Sequence, residues 1–205
     1  MAVGPVSVVA STSDVRLAAG ILARAFHSDP PFEYFVPSPA RRAELLPKFF
    51  ERFVRHGQIF GEVHGTPQKP EAIAIWLPPG KTDITPEAAS RSGLDELEEV
   101  FGRESFRRVS TFLACMSAMH HAAMPGDHRY LAFIGVDPGR QGQGLGGILL
   151  EAMLARSRRE RIVCYLETFL GRNVPFYRRH GFTVVEEGVL PDSGLAFWTM
   201  QCAPE

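Results

Sequence analysis

Little in this sequence points to a special environment. Cysteine is scarce, and Cys115, Cys164 and Cys202 stand far apart with no C-x-x-C pair. That pattern excludes a zinc-ligand spacing and a disulfide framework, and the three read as reduced, buried thiols. Neither sign of charge is in excess, since 22 Lys and Arg against 23 Asp and Glu leave a net charge of −1. Overall charge therefore predicts neither nucleic acid nor an anionic membrane as partner, and any anion site must be local. Long apolar runs are missing too, because the uncharged stretch over 110–126 contains His120 and His121 and falls short of a membrane span. The opening MAVGPVSVVASTSD has no basic n-region, and Gly4 and Pro5 interrupt it, so it does not read as a signal peptide. A soluble, reducing, cytoplasmic protein is expected, with no internal repeat and no low-complexity linker.

What is present suits one globular unit. The 205 residues are 45% hydrophobic and 22% charged, near the averages for soluble proteins, and read as a single domain over 1–205. A chain of 22.7 kDa should fold to an accessible surface of roughly 9,500 Å² and bury about 70% of what it exposes unfolded. A β-branched run over 6–10 predicts a first strand. The spacing of Leu17, Ile21, Leu22, Ala25 and Phe26 predicts a helix. The proline-rich segment HSDPPFEYFVPSP is expected to be a loop, followed by a helix over 40–56 in which Pro47 is an awkward interior residue. Strands over 58–64 and 71–77 around GTPQKP predict an antiparallel hairpin. Thr85-Pro86-Glu87 starts a helical region that breaks near Gly102 and ends at Met124-Pro125-Gly126. A strand over 130–136, a helix over 144–160 and a strand over 162–168 make a right-handed βαβ unit with parallel strands. A short helix over 173–180, which Asn173 can cap and Gly181 can end, precedes two last strands over 182–186 and 195–201. The fold class is α+β, with one mixed sheet of about seven strands.

The densest signal is VDPGRQGQGLGG over 136–147. A strand runs into a loop with several glycines that opens a long helix, so unhindered backbone N–H groups and a helix N-terminus converge on one point. Arg140 adds a cation there, and a diphosphate is the natural occupant. Gly142-x-Gly144-x-x-Gly147 also matches the dinucleotide fingerprint, with Glu167 at the usual distance. However, the fingerprint turn should follow its strand almost at once, whereas a loop separates Val136 from Gly142, and too little chain follows for a doubly wound sheet.

The same loop reads Gln141-x-x-Gly144-x-Gly146 after a strand ending in V-x-P. Further on, Asn173-Val174-Pro175-Phe176-Tyr177-Arg178-Arg179-His180-Gly181-Phe182 reads N-x-x-x-Y-x-x-x-G-F, similar to an N-x-x-x-x-Y-x-x-x-G-F segment. In both motifs the sequence resembles the GCN5-related N-acetyltransferase (GNAT) superfamily. YLAFIGVDPGRQGQGLG, CYLET with NVPFY, and AIAIWLPPG look most like its puromycin N-acetyltransferase branch.

The resemblance implies the GNAT fold, mostly antiparallel and splayed at a central parallel pair. It implies acetyl-CoA as cosubstrate, with no metal and the amides of Gln141, Gly142, Gln143, Gly144, Leu145, Gly146 and Gly147 on the pyrophosphate beside Arg140. The strand Phe133-Ile134-Gly135-Val136 is expected to carry a bulge and to pair with the pantetheine arm, which Asn173 would also contact. Gly135 suits a bulge or a close backbone approach.

Transfer from a thioester to an amine needs a neutral amine, a donor to the developing oxyanion and a proton for the departing thiolate. The resemblance gives Tyr177 the last role, and a phenol pKa of about 10 suits it. The oxyanion would meet a backbone N–H at Ile134 or Val136. For the base the sequence leaves Glu167, Asp29 and, more remotely, His120 and His121 open. The segment 29–37, Trp76, Phe112, Met116 and Met119 could wall an acceptor pocket. The reading is an N-acetyltransferase acting on a primary amine of a small molecule by direct transfer in a ternary complex, as a monomer or homodimer. Acetylation of protein N-termini or lysines, or a catalytically silent CoA-binding module, remain alternatives.

Overall fold

The computed structural model describes residues 7–8 and 12–204, and its accessible surface is 10198 Å². Seven strands form one sheet: β1 (Ser7–Val8), β2 (Glu62–Gly65), β3 (Ala72–Leu77), β4 (His128–Val136), β5 (Val163–Thr168), β6 (Thr183–Val189) and β7 (Ala196–Cys202). Their order is β1-β2-β3-β4-β5-β7-β6, and only the β4–β5 pair is parallel. The rest of the strand expected over 6–10 lies outside the described residues. Among the described residues there are eight α-helices: α1 (Thr12–Ala25), α2 (Pro30–Phe35), α3 (Pro39–Phe60), α4 (Pro86–Ser92), α5 (Leu97–Phe101), α6 (Arg103–Ala123), α7 (Leu145–Glu160) and α8 (Val174–Arg178).

Strand alternation divides the interior in two. Every residue of β3 is buried. Ile73 and Ile75 face the helices α1 and α3, while Ala72, Ala74 and Trp76 face α7 on the other side of the sheet. The first side is packed with phenylalanine. Phe26, Phe32, Phe49, Phe50, Phe53, Phe101 and Phe133 interlock with ring centroids 4.6 to 6.2 Å apart, mostly edge to face.

Two expectations are corrected in the first third of the chain. The segment expected as a loop contains α2, because Pro30 and Pro31 occupy its first turn, where a missing N–H leaves no bond unmade. Arg42, 4% exposed, then clamps the segment, donating to the carbonyls of His27, Val36 and Pro37 at 2.8 Å each. The next helix is also longer than expected and runs on to Phe60, so β2 starts only at Glu62. Pro47 sits inside α3 without ending it. A proline there costs about 3 kcal/mol, which the burial of Leu45, Leu46, Phe49 and Phe50 at roughly 1.5–3 kcal/mol each outweighs.

The strand that leads into the glycine loop departs from regularity twice. Ile75 pairs with Phe133 but Trp76 pairs with Leu131, so Ala132 is an extra residue and both Ala132 and Phe133 turn to the phenylalanine side. The bulge expected within 133–136 thus falls one residue earlier, and Gly135 is not part of it. Gly135 instead permits close approach of α1: a Cβ there would stand 2.9 Å from that of Ala25 and 3.0 Å from Leu22 Cδ2. Secondly, β4 pairs with β5 only at His128, Arg129 and Tyr130. Beyond Tyr130 the two parallel strands splay, as expected.

Candidate active site

The splay opens an unpaired strand edge. Asp137 N–H donates to the Glu71 carbonyl on the β3 side, and the polar groups of an antiparallel strand alternate. The N–H and C=O of Ile134 and Val136 therefore point the other way, into the gap. Glutamine follows the same geometry, with Gln141 Nε2 donating to the Val136 carbonyl at 3.3 Å.

The loop after β4 is shaped by its own polar groups. Asp137 is tied to Arg24 Nε at 2.9 Å, and Asp137 Oδ1 accepts from Gly139 N–H. Gly142 and Gly144 adopt φ of +76° and +80°, and no atom lies within 4 Å of where a Cβ would stand on either. Only glycine takes this conformation freely, and the open space leaves the N–H groups of the loop and of the first turn of α7 accessible. They line a cleft of about 1130 Å³ that also receives Arg140, Gly135 and Val136, with Arg172, Arg179 and His180 on its far wall. Arg140 is held by Glu71 at 3.0 Å. A diphosphate with an extended arm fits this donor set.

A second cavity of about 520 Å³ lies between α2, α3, α6 and the splayed strands. Its walls are mainly apolar and include Phe32, Phe35, Phe49, Phe112, Phe133 and Met116, with Glu167, His120, Tyr130 and Asp83 as polar members. The cleft and this cavity share Phe26, Asp29, Ile134, Asn173 and Tyr177. Both therefore open onto one junction.

The ionisable groups at the junction are strongly perturbed. Asp29 begins α2 without using its side chain as a cap. Burial lifts its pKa to about 7, opposed by Arg172 and reinforced by Glu33. Tyr177 is 6% exposed, and burial together with the Asp29 charge raises its phenol well above the ordinary value. Glu167, its side chain only 3% exposed, is lifted to about 7 by burial against the opposing phenols of Tyr130 and Tyr165. Asp29 thus titrates near neutrality beside a phenol that stays protonated, and Glu167 does so within the apolar cavity.

The structure brings most of the expected residues together and separates a few. Asp29, Ile134, Asn173 and Tyr177 meet at the junction, and Glu167 stands in the apolar cavity. Phe133 lines that cavity and not the cleft, and Gln143 lines neither. Asn173 does not cap α8; its Nδ2 donates to Thr168 Oγ1 at 3.3 Å. Trp76 packs on the opposite face of the sheet and Met119 does not reach the cavity. Buried Cys164 is a thiol pushed up to about 11, bonded to Ser157 Oγ. The residues missed are Arg172, Arg179 and His180 in the cleft and the partners of His120. The basic run around Tyr177 was a readable sign of the first group.

Comparison with known proteins agrees with this arrangement. Residues 91–182, from the end of α4 through α8, match the Acetyltransferase (GNAT) family. The chain is 28% identical over 175 residues to an uncharacterized N-acetyltransferase of Schizosaccharomyces pombe, covering 82% of this chain and 70% of that one. The solved structure described as histone acetyltransferase HPA2 and related acetyltransferase from Corynebacterium glutamicum superposes with a TM-score of 0.72 at 21% identity, over 98% of both chains. Arylalkylamine N-acetyltransferase 2 of Aedes aegypti gives a TM-score of 0.60 at 15% identity, over 98% of this chain and 100% of that one. Over residues 91–182 the chain is thus similar to GNAT-type N-acetyltransferases, and its fold is theirs. These relatives support the superfamily and not a branch within it. Among the described residues no helix is long and apolar enough to cross a membrane, and no group of three or more His, Cys, Asp and Glu is placed to hold a metal ion.

Proposed function

We propose that this protein transfers an acetyl group from acetyl-CoA to the primary amine of a small molecule with an apolar or aromatic body, by direct transfer in a ternary complex. The observation that carries the reading is the junction: a cleft suited to a diphosphate and an extended arm meets a mainly apolar cavity at Asp29, Ile134, Asn173 and Tyr177. That the Aedes aegypti neighbour is an arylalkylamine N-acetyltransferase supports an amine acceptor of this kind.

Acetyl-CoA would supply an activated thioester. The loop amides of residues 141–147 and Arg140 bind its diphosphate, and the inward N–H and C=O groups of Ile134 and Val136 pair with its arm. An N–H of this edge also stabilises the charge that develops on the acyl oxygen. Tyr177 donates the proton that the leaving sulfur needs, and its raised pKa keeps the phenol protonated until thiolate forms. Glu167 lines only the acceptor cavity, and with a pKa of about 7 it takes the proton of the amine. Asp29, at the junction, keeps Tyr177 in its acid form and orients the ammonium as it enters.

The test is a thiol-release assay with acetyl-CoA against arylalkylamines, aminonucleosides, polyamines, aminoglycosides and short peptides, with CoA binding followed by calorimetry. Turnover on arylalkylamines or aminonucleosides is expected. Turnover on peptides alone would move the acceptor to proteins, and absence of CoA binding would overturn the reading.

A further inference from the structure

One buried nitrogen in the wall of the apolar cavity lacks a partner. His56, on α3, lines that cavity and is 2% exposed, and its Nε2 has no hydrogen-bond partner among the described residues. A buried polar atom left unpaired is costly, and nearly all such atoms in folded proteins are bonded. The ring itself is firmly held. Its Nδ1 lies 3.3 Å from Ser92 Oγ on α4, and Phe60 packs on it with ring centroids 4.9 Å apart.

These contacts fix which nitrogen carries the proton. Ser92 Oγ gives its single hydrogen to the carbonyls of Ala88 at 2.7 Å and Ala89 at 3.2 Å. Toward His56 it can only accept, so Nδ1 is the N–H. Burial lowers the pKa of His56, so the ring is neutral at pH 7 and Nε2 keeps a bare lone pair. Ser92 does not line the cavity, whereas Ile75, Ala89, Leu94 and Leu97, on segments packed against α3, do. Nδ1 thus faces out of the cavity, and Nε2, on the opposite side of the ring, faces in. Those four neighbours are apolar and offer it nothing.

The position of the ring sets a length. A Cβ on Gly57 would stand 2.7 Å from Ile75 Cγ2 and 2.8 Å from Val63 Cγ2, so this turn of α3 lies over β3 and β2, whereas the junction lies on the far edge of β4. With strands about 4.8 Å apart, His56 stands roughly 10 Å from the junction. Allowing about 2.9 Å for a hydrogen bond leaves about 7 Å between the amine of a bound acceptor and the group that meets Nε2. A benzene ring with a two-carbon amine arm and a hydroxyl at its far end has that length.

We propose that His56 is a specificity-determining residue, whose Nε2 accepts a hydrogen bond from a hydroxyl at the end of the acceptor remote from its amine. The inference rests on the reading of this cavity as the site of an arylalkyl-type amine. It assigns the acceptor two polar ends, an amine at the junction and a donor at His56, joined by an apolar body that fills the phenylalanine-lined space between.

Steady-state turnover with acetyl-CoA of three amines of one shape tests this: 2-phenylethylamine, its 4-hydroxy analogue, and its 4-methoxy analogue, which has the oxygen without the proton. The wild-type chain should favour the 4-hydroxy amine over the unsubstituted one about tenfold in kcat/KM, and the 4-methoxy amine should gain nothing. His56→Phe keeps an aromatic ring, leaves the Ser92 hydroxyl on its carbonyls and should bring the ratio of the hydroxylated to the plain amine to about one. His56→Gln offers an acceptor oxygen near the place of Nε2 and should retain part of the preference. Equal kcat/KM for the plain and hydroxylated amines with the wild-type chain, a result that needs no variant to fold, overturns the inference. So does a folded His56→Phe that keeps the wild-type ratio, or a methoxy amine that matches the hydroxylated one. In each of these cases transfer to arylalkylamines still stands; no turnover of any of the three removes that acceptor class and the His56 subsite with it.

Discussion

Replacing Glu167 by Gln should change how stability depends on pH, and the size of the change follows from its burial. The carboxyl titrates near 4.5 in the unfolded chain and at about 7 in the folded one. Between these values the folded protein keeps a proton that the unfolded chain releases, so stability falls as pH rises. The favourable contribution is complete below pH 4.5 and gone above 7. At 1.36 kcal/mol per pH unit the loss is about 3 kcal/mol, and a side chain only 3% exposed gives solvent little scope to screen it. His120 acts in the opposite sense, because its folded value of about 4 lies below the unfolded 6.5, so that its contribution rises with pH over that interval. The wild-type curve is thereby flattened by two opposed titrations. Asp29, lifted to about 7, lowers the stability of both proteins alike and drops out of their difference. The side-chain amide introduced by the substitution offers an N–H to His120 Nδ1, which lies 3.4 Å from Glu167 Oε1. The variant should gain about 3 kcal/mol on the wild type between pH 4.5 and 8, or roughly 6–12 °C in Tm for a chain of this length. Circular-dichroism melts of both proteins across that range provide the assay. Parallel Tm profiles would refute the buried, proton-holding carboxyl.

Three further outcomes are expected. Tyr177→Phe should lower kcat by about a hundredfold or more while the Kd for acetyl-CoA stays the same; equal losses in stopped-flow turnover and calorimetric binding would make the phenol a packing group. Gly144→Asp retains a residue that tolerates positive φ but places a carboxylate in the open space over the loop, so CoA affinity measured by calorimetry should fall at least tenfold in a folded protein; unchanged affinity would remove the diphosphate from this loop. Gly135→Val forces atoms against Ala25 and Leu22 and should cost about 1–3 kcal/mol, seen as a lower Tm. An unchanged Tm would show that α1 does not press on the strand.

How much of this was readable depended on the range of the signal. The glycine loop, the βαβ unit and the N-x-x-x-Y segment are local patterns, and the sequence puts Gly142 and Gly144 in the loop and Tyr177 on the short helix, where the structure has them. The α2 helix was missed because four prolines read as a break, whereas two of them fall in its first turn and the segment is closed from outside by Arg42. The position of the bulge depends on how β3 registers against β4, which no periodicity within β4 reveals. His120 shows in sequence as one of a pair on a helix. Its link to Glu167 and His128 needs α6 laid across the parallel strands, and nothing in the spacing of three such residues specifies that. Trp76 looked like a pocket wall, and strand alternation sends it to the other core.

The splayed edge of β4 has a consequence for how the protein avoids its own kind. An exposed strand edge with free N–H and C=O groups is an invitation to another chain and a common start of aggregation. Here the edge at Ile134 and Val136 lies at the bottom of a cleft between α7 and the segment that carries Asn173 and Tyr177. A second polypeptide strand, broad with side chains on both faces, cannot reach that depth without parting these elements. A narrow arm carrying a few amides can. The cleft thus acts as a sieve by width, admitting a ligand that completes the ladder and excluding a partner that would extend the sheet.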